Sequence, residues 1–281
     1  MPIKIQSIMF RSSVLPEEIE KLELAAFDGK ITVIDKPGKE LDRAVAYLRR
    51  QRMIGFDTES RPCFSPSQPK TGVALLQLSG PREAFLFRIQ KVGMDRRLCG
   101  ILADERIVKV GAAVHDDIRG LQKYVDFEAK NFIDLQKIVW EYGIKDKSVK
   151  KMSAIILGVR ISKTQQLSNW EADVLSESQQ LYAATDAWVC REMYKLLLKS
   201  EKHPLTPEEM MPPHQVQIKD NASVNADGTS AAVTGEKKDE KKAEGKSRRR
   251  RGSHSRRRYY RNRRKNRKRN IENGKDNTEK R

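Results

Sequence analysis

The sequence has few cysteines and no long apolar run. Its three cysteines, Cys63, Cys99 and Cys190, lie far apart and form none of the close pairs typical of zinc sites or redox motifs. Such a sparse, odd set excludes a disulfide framework and indicates a reducing compartment. No apolar run reaches the length of a membrane span, and the first residues lack the pattern of a signal peptide. We therefore expect a soluble, intracellular protein located in the cytoplasm.

Acidic residues are scarce at one end of the chain. Residues 236–281 contain 22 Lys and Arg against 7 Asp and Glu, so 15 of the 18 net positive charges lie there. The body before them is near neutral, and we expect a polyanionic partner for the basic segment rather than for the whole fold. From Glu201 onward the sequence loses periodicity and becomes rich in small polar residues, which predicts a disordered linker over residues 201–245.

The hydrophobic pattern of the body changes from consecutive strands to alternating strands and helices. Short links between the second, third and fourth predicted strands indicate an antiparallel meander, and the later alternation indicates a mixed sheet covered by helices. The region up to residue 200 is otherwise predicted to be helical, with breaks near Phe127, Gly143 and Gly158. The predicted strands span residues 31–34, 53–59, 72–78, 84–89 and 107–114; the predicted helices span residues 15–26, 39–51 and 94–103, one begins near Asp116, and the last runs from a Ser176 and Gln179 capping box to about Leu198.

The second predicted strand carries two acidic side chains on one face. Because strand side chains alternate, Ile54 and Phe56 point to one face while Gly55, Asp57 and Glu59 point to the other. Two carboxylates inside a core are unfavourable unless a positive charge lies between them, and a divalent cation would satisfy both. The alternative is a strand end that simply runs out into solvent.

Two later helices repeat the anomaly of an acid on an apolar stripe. In the helix after the fifth strand, Asp117 lies on the apolar side, while Asp116 is better explained as an N-cap or first-turn acid. In the last helix, Tyr182 and Asp186 are one turn apart on one face. The alternative for Tyr182 is a core aromatic whose hydroxyl bonds to a backbone carbonyl.

These residues stand in three ordered motifs that resemble those of the DEDD exonucleases. A tyrosine four residues before the last aspartate is typical of the DEDDy branch, and the chain looks most like the ribonuclease D and Werner-type exonuclease domains. The resemblance covers roughly residues 31–200 and leaves residues 1–30 as an N-terminal extension. The motifs are Phe56-Asp57-Thr58-Glu59, then Val110-Gly111 with Asp117 and Leu121, then Leu181-Tyr182-Ala183-Ala184-Thr185-Asp186; Leu167-Ser168-Asn169-Trp170 also resembles that branch.

The resemblance implies an α/β, RNase H-like fold, in which a mixed sheet of five to six strands carries helices on both faces. It also implies a 3′→5′ exonuclease that releases nucleoside 5′-monophosphates from single-stranded RNA or DNA, with two divalent ions bound by Asp57, Glu59, Asp117 and Asp186. Carboxylates without His or Cys independently favour Mg²⁺ or Mn²⁺, and paired ions can stabilise the attacking and leaving oxygens. A free phenol, with a pKa of about 10, is a poor base. We therefore assign Tyr182 to orienting the attacking water or assisting its deprotonation.

Other residues near these motifs have open roles. His115 does not occupy the position of the histidine that replaces the tyrosine in the sister branch, so we expect it to be structural or to contact substrate. Residues 61–71 and 163–170 could guide a single strand. Trp170 could stack on a base or belong to the core.

The basic segment at residues 246–281 is predicted to bind nucleic acid. Residues 248–269 include fourteen basic residues and no acidic one, and arginine for phosphates with tyrosine for bases suits sequence-tolerant binding. The alternative is a nuclear-targeting or solubilising run. A rival function for the whole chain is an RNA-binding or ribosome-binding adaptor with secondary nuclease activity. The residues assigned to nucleic-acid binding are Arg248, Arg249, Arg250, Arg251, Arg256, Arg257, Arg258, Tyr259 and Tyr260.

Overall fold

The computed structural model describes residues 9–62 and 72–210. The predictions for residues 63–71, for the linker from residue 211 onward and for the basic segment at 246–281 with its arginines and tyrosines lie outside the described residues. Within the described ranges, no helix is both long and apolar enough to cross a membrane. The strands are β1 Lys30–Ile34, β2 Met53–Ser60, β3 Val73–Ser79, β4 Glu83–Arg88, β5 Val108–Gly111 and β6 Phe132–Asp134; the helices are α1 Pro16–Glu20, α2 Lys39–Arg49, α3 Ile89–Val92, α4 Arg96–Leu102, α5 Val114–Gln122, α6 Leu135–Ile138, α7 Val149–Ile156, α8 Glu177–Leu197 and α9 Pro207–Met210.

The six strands form one mixed sheet in the order β1-β4-β3-β2-β5-β6. The strands β2, β3 and β4 pair antiparallel through short links, which confirms the predicted meander. At the edges β1 pairs parallel with β4, β5 pairs parallel with β2, and β6 pairs parallel with β5. Parallel neighbours need a crossover connection, and helices supply it here.

Helices cover both faces of the sheet, as predicted. On one face, Leu41 of α2 and Leu121 of α5 pack in the same cluster as Phe56 of β2. On the other face, Val189 of α8 packs in the same cluster as Val110 of β5. Because strand side chains alternate between faces, they contribute to two separate apolar layers, one on each side of the sheet.

Gly55 allows α8 to lie directly against β2. A Cβ atom at this position would stand 1.8 Å from the carbonyl oxygen of Ala187 and 2.5 Å from its carbonyl carbon. On the helix side, Ala183, Ala184 and Ala187 are fully buried. Only a glycine permits so close an approach of two backbones, so α8 is held near the strand that carries Asp57.

The long helix α8 begins where the sequence predicts. The Ser176 hydroxyl accepts a hydrogen bond from the Gln179 backbone N–H at 3.2 Å, and the Gln179 side-chain oxygen accepts one from the Ser176 N–H at 3.0 Å. This reciprocal pair is a capping box, which satisfies two N–H groups at the start of the helix.

The N-terminal helix is shorter than the sequence predicts. The pattern indicates a helix over residues 15–26, but α1 ends at Glu20. Beyond it the chain is extended, because Leu24 forms a parallel bridge with Arg160 and the Ala25 N–H donates to the Arg160 carbonyl at 2.9 Å. Pairing with a distant segment overrides the local helical pattern. The described part of the N-terminal extension thus packs on the body.

The region predicted to be helical up to residue 200 contains a strand and a long loop. The strand β6 at Phe132–Asp134 is too short to show alternation and pairs with β5, so its helical prediction is wrong. Residues 159–176 are also not helical. The predicted breaks at Gly143 and Gly158 are correct, since both have positive φ angles, of 78° and 69°.

Residues 201–210, which the sequence assigns to a linker, pack against the body. Leu205 is buried, and its N–H donates to the Trp140 carbonyl at 3.0 Å. Lys202 forms an ion pair with Glu141. Both the hydrogen bond and the ion pair join this segment to the 3₁₀ turn at Val139–Tyr142, more than 60 residues earlier, so a local sequence pattern cannot predict them.

Candidate active site

Three carboxylates from two separate elements meet on the α8 side of the sheet. Asp57 and Glu59 of β2 and Asp186 of α8 each present an oxygen, and these three oxygens lie within 4.8 Å of one another. All three residues are half-buried. The alternative of a strand end in solvent is therefore wrong, and the alternation along β2 places both of its acids as predicted.

Asp117 lies next to this group without joining the three. The Thr58 hydroxyl donates a hydrogen bond of 2.5 Å to a carboxylate oxygen of Asp117. Thr58 stands between Asp57 and Glu59 in sequence, so its side chain leaves the strand on the opposite face, the face that α5 covers. The first motif includes Thr58 but predicts no role for it, although its place between two acids marks it as the residue on the other face.

The turn that presents Asp117 is held by a buried aspartate. Ala113, just before α5, has a φ of 61°, and its N–H donates to the Asp134 carboxylate at 2.9 Å. Asp134 also accepts from the Gln136 N–H at 3.1 Å. The strand predicted to reach Val114 ends at Gly111 because the chain turns here. Asp134 is missed at the sequence level because β6, which carries it, is predicted to be helical.

Tyr182 is buried one helical turn from Asp186. Its ring packs against Trp170, with 5.9 Å between the ring centroids at an interplanar angle of 38°. Trp170 is fully buried, so the core interpretation of this tryptophan is confirmed and stacking on a base is wrong. The contact restricts the Tyr182 ring and thereby fixes where its hydroxyl lies relative to the acids.

The segment before Trp170 is attached to the start of α8. The Gln179 side-chain amide donates to the Ser168 hydroxyl at 3.0 Å and to the Asn169 carbonyl at 3.1 Å. Gln179 is the same residue that closes the capping box of α8. Gln179 thus attaches Ser168 and Asn169 to α8, and these residues precede the tryptophan that packs against Tyr182. The segment therefore helps to hold the Tyr182 ring in place.

Burial and mutual repulsion raise the pKa values of the clustered acids. Burial, with the charges of Asp186, Glu59 and Asp117, raises the pKa of Asp57 well above its usual value. Burial, with the charges of Asp186 and Asp117, raises the pKa of Glu59 to about 8. Repulsion between neighbouring carboxylates therefore adds to the effect of burial in this group.

The two other acids and the tyrosine are shifted in the same direction. Burial raises the pKa of Asp186 to about 6, although Tyr182 and Lys163 partly offset it. Burial also raises the pKa of Asp117 to about 6, against the hydrogen bond from Thr58. Burial and the neighbouring charges of Asp186 and Glu59 raise the pKa of Tyr182, which keeps its phenol protonated.

The donor set fits a hard divalent cation. All ion pairs in residues 9–62 and 72–210 involve side chains other than these four acids. Carboxylates gathered in a partly buried site without a cation must take up protons or bind a metal ion. Oxygen ligands alone favour Mg²⁺ or Mn²⁺ over softer metals.

A family model described as 3′-5′ exonuclease matches residues 33–201, which is more than half of the chain. The chain belongs to the 3′-5′ exonuclease family. The exonucleases of this family are nucleic-acid hydrolases that depend on divalent metal ions. The predicted resemblance to this family is confirmed.

Relatives of this exonuclease include two curated proteins. Ribonuclease D of Gluconacetobacter diazotrophicus is 29% identical over 165 residues, which is 57% of this chain and 41% of that protein. Exonuclease 3′-5′ domain-containing protein 2 of Drosophila melanogaster is 32% identical over 154 residues, which is 53% of this chain and 26% of that protein. The chain thus spans less than half the length of either relative.

A solved structure supports the fold of this exonuclease. Ribonuclease D of Trypanosoma brucei, in complex with RNA U12, matches with a TM-score of 0.55 at 19% sequence identity. The match covers 62% of this chain and 64% of that chain. The mixed six-stranded sheet with helices on both faces is thus the RNase H-like exonuclease fold that the sequence predicts.

Two residues near the second motif lie on the surface of the exonuclease. Asp116 is exposed in the first turn of α5, which agrees with a first-turn acid. His115 is also exposed and lines an open depression of about 590 Å³ together with Arg119 and Asp126. His115 is therefore not a core residue, and its contact with substrate stays a prediction.

Proposed function

We propose that this exonuclease degrades single-stranded RNA or DNA from the 3′ end and releases nucleoside 5′-monophosphates with the help of two Mg²⁺ or Mn²⁺ ions. The observation that carries the proposal is the convergence of Asp57, Glu59 and Asp186 within 4.8 Å. Asp117 adjoins them through its hydrogen bond to Thr58. Among the described residues none of the four acids forms an ion pair, although the charge of Lys163 lowers the pKa of Asp186. Such a group of acids suits a site for divalent ions and phosphodiester chemistry.

The acids of the proposed site come from both sides of β2. Divalent ions held by these carboxylates would stabilise the attacking and leaving oxygens during in-line displacement at phosphorus. Asp57 and Glu59 of β2 and Asp186 of α8 would hold an ion from two different elements. Asp117 is held from the opposite side of β2, so it can contribute a second, separate point of attachment.

Tyr182 is proposed to orient the attacking water. Its hydroxyl lies beside Asp186, and its ring is held against the buried Trp170. A protonated phenol can both accept a hydrogen bond from water and donate one to a carboxylate. We assign it to positioning the water against the scissile phosphate, and the four acids to the charge that develops there.

The substrate is proposed from the relatives. Ribonuclease D is the name of a sequence relative, and a ribonuclease D with the same fold was solved with RNA. RNA is therefore the first substrate to test, with DNA beside it. The roles of the basic segment at 246–281 in holding substrate or attaching to ribosomes, and the cytoplasmic location, stay predictions.

The proposal is tested by a side-by-side degradation assay of the full chain. RNA and DNA oligonucleotides of one sequence, labelled at the 5′ or the 3′ end, are incubated with Mg²⁺ or Mn²⁺ or with a chelator. We expect stepwise shortening of the 5′-labelled strand and immediate release of a labelled mononucleotide from the 3′-labelled strand. Internal cleavage, or degradation that persists in the chelator, would contradict the proposal.

A further inference from the structure

Gln77 of β3 is a fully buried amide without a hydrogen-bond partner. Its side chain has 0% exposure, and neither its amide nitrogen nor its amide oxygen has a partner among the described residues. Buried polar groups in folded proteins are nearly always paired, because an unpaired one loses its bonds to water without replacement. A glutamine kept in this state needs an explanation beyond packing.

The other buried glutamine among the described residues shows the contrast. Gln179 is also buried, yet its amide makes three hydrogen bonds, to Ser176, Ser168 and Asn169. Those bonds hold the start of α8 together. Gln77 makes none and so stabilises no neighbouring segment in this way.

The position of Gln77 places it beside the acids. In the antiparallel ladder it stands directly opposite Asp57, and on its other side it stands opposite Leu86. Directly opposed residues project to the same face, with Cβ atoms roughly 4.5–5.5 Å apart. Leu86 belongs to the cluster that contains Tyr182 and Ala183 of α8. The amide therefore lies on the α8 side of the sheet, next to Asp57.

We propose that Gln77 is a positioning residue for the metal site. Its amide NH₂ donates a hydrogen bond to the Asp57 carboxylate when a divalent cation is bound at the site. This inference rests on the proposed function and adds a residue to it. The bond orients Asp57 towards the cation and satisfies the buried amide at the same time.

The chemistry of an amide suits this place better than that of a charged residue. A glutamate at position 77 would add a fifth acid to the four already present, and a lysine would bring a cation that competes with the metal ion. An amide donates to a carboxylate while adding no charge. A leucine or methionine would fill the volume but offer no hydrogen-bond donor to Asp57.

The test uses Gln77→Met, which keeps the length of the side chain and removes its polar atoms. Mn²⁺ alone is titrated calorimetrically into the full chain without nucleic acid, and thermal unfolding is followed with and without Mn²⁺. We expect the Mn²⁺ affinity to fall by roughly 10–100-fold, as for other residues that support a metal ligand. Without metal we expect the melting temperature to be unchanged or higher, because an unpartnered buried amide has been removed.

A matched control comes from the same sheet. Thr32 of β1 has a buried hydroxyl without a partner among the described residues, and β1 lies at the far edge from β2. Thr32→Val should leave the Mn²⁺ affinity of the parent unchanged. Should Gln77→Met fail to fold, Gln77→Leu is titrated in its place.

The outcomes separate this inference from the proposed function. If the parent binds Mn²⁺ and the Gln77 variant binds it equally well, the positioning role is overturned while the metal site stands. Equal losses in Thr32→Val and the Gln77 variant would also overturn it, since the effect would not be specific to the neighbour of Asp57. A parent that does not bind Mn²⁺ overturns both.

Discussion

The neighbouring strands β5 and β2 both carry charged side chains inside the fold, but the two sets of charges have different surroundings. Lys109 of β5 is fully buried, and its Nζ donates to the carbonyl oxygens of Asp104 at 2.7 Å and Ile107 at 2.8 Å. It also lies 5.2 Å from the centre of the Phe132 ring. The acids on β2 and α8, in contrast, face one another, and no described side chain forms an ion pair with them.

The difference distinguishes a structural charge from a functional one. Burial lowers the pKa of Lys109 to about 8, so its partners offset the loss of hydration only in part, but backbone carbonyls and a ring face do bind the ammonium within the fold. Burial and the charges of the neighbouring acids raise the pKa values of the carboxylates instead, and no described side chain forms an ion pair with them. A buried charge with internal partners indicates structure, and a buried set of like charges indicates a place for an external ligand.

The largest expected effect is the loss of degradation in Asp57→Ala and Asp186→Ala. Each removes a ligand of the proposed metal pair, so we expect activity to fall to the background of the assay while the protein still folds. Circular dichroism and degradation of labelled RNA check both statements. Asp116→Ala, which removes an exposed acid, is the control and should keep parental activity. Parental activity in either site variant would remove the acids from the mechanism.

The next effect is expected for Tyr182→Phe. This variant keeps the ring against Trp170 and removes only the hydroxyl, so turnover should fall on the order of 10²–10⁴-fold with little change in KM. Steady-state kinetics on a short oligonucleotide measure the two parameters separately. The control is Tyr142→Phe, at another buried tyrosine. Equal rates for the parent and the Tyr182 variant would reduce Tyr182 to a core aromatic.

A smaller effect is expected for Gly55→Ala, which tests how α8 is held against the acids of β2. The added Cβ would collide with the Ala187 backbone, so we expect a loss of about 1–3 kcal/mol of unfolding free energy together with lower activity. Urea unfolding and the degradation assay measure the two. At Gly100 in α4 the nearest atom is 3.6 Å away, so Gly100→Ala should not destabilise the protein. Similar behaviour of the two variants would contradict close packing of α8.

The smallest effect on activity is expected for Lys109→Met, which removes the buried ammonium and its hydrogen bonds to backbone carbonyls. The change leaves carbonyl oxygens without a donor, so we expect a loss of stability of about 1–3 kcal/mol and little loss of turnover. Because the folded pKa of Lys109 lies below its unfolded value, the folded state binds fewer protons between about pH 8 and pH 10.5. The stability of the parent relative to the variant should therefore rise with pH across this window. Urea unfolding at pH 7.5 and pH 10 measures it, and a falling difference would contradict the assignment.

The local patterns of the sequence predict much of the fold and of the site. Alternation along β2 places Asp57 and Glu59 on one face, and the capping pattern at Ser176 fixes where α8 begins. The spacing of Tyr182 and Asp186 puts both on one side of that helix. These features depend on residues close in sequence, so a pattern can reveal them.

Features that depend on distant contacts could not be predicted in this way. The short α1 results from pairing between Leu24 and Arg160, and β6 is a strand because β5 lies beside it. The support of Asp117 by Thr58 likewise joins residues 59 positions apart. The sequence around Gln77 predicts only a strand, and the position of Gln77 opposite Asp57 follows from the pairing of β3 with β2.

Calorimetric titration of Mn²⁺ into the parent and into Asp57→Asn tests the central claim most directly. The substitution keeps the size of the side chain and removes its charge, so it changes the proposed metal site and little else. We predict saturable binding to the parent, accompanied by a higher melting temperature, and the loss of both in the variant. Equal binding by the two proteins, or no binding by a parent that degrades nucleic acid, would contradict a metal site at Asp57, Glu59 and Asp186.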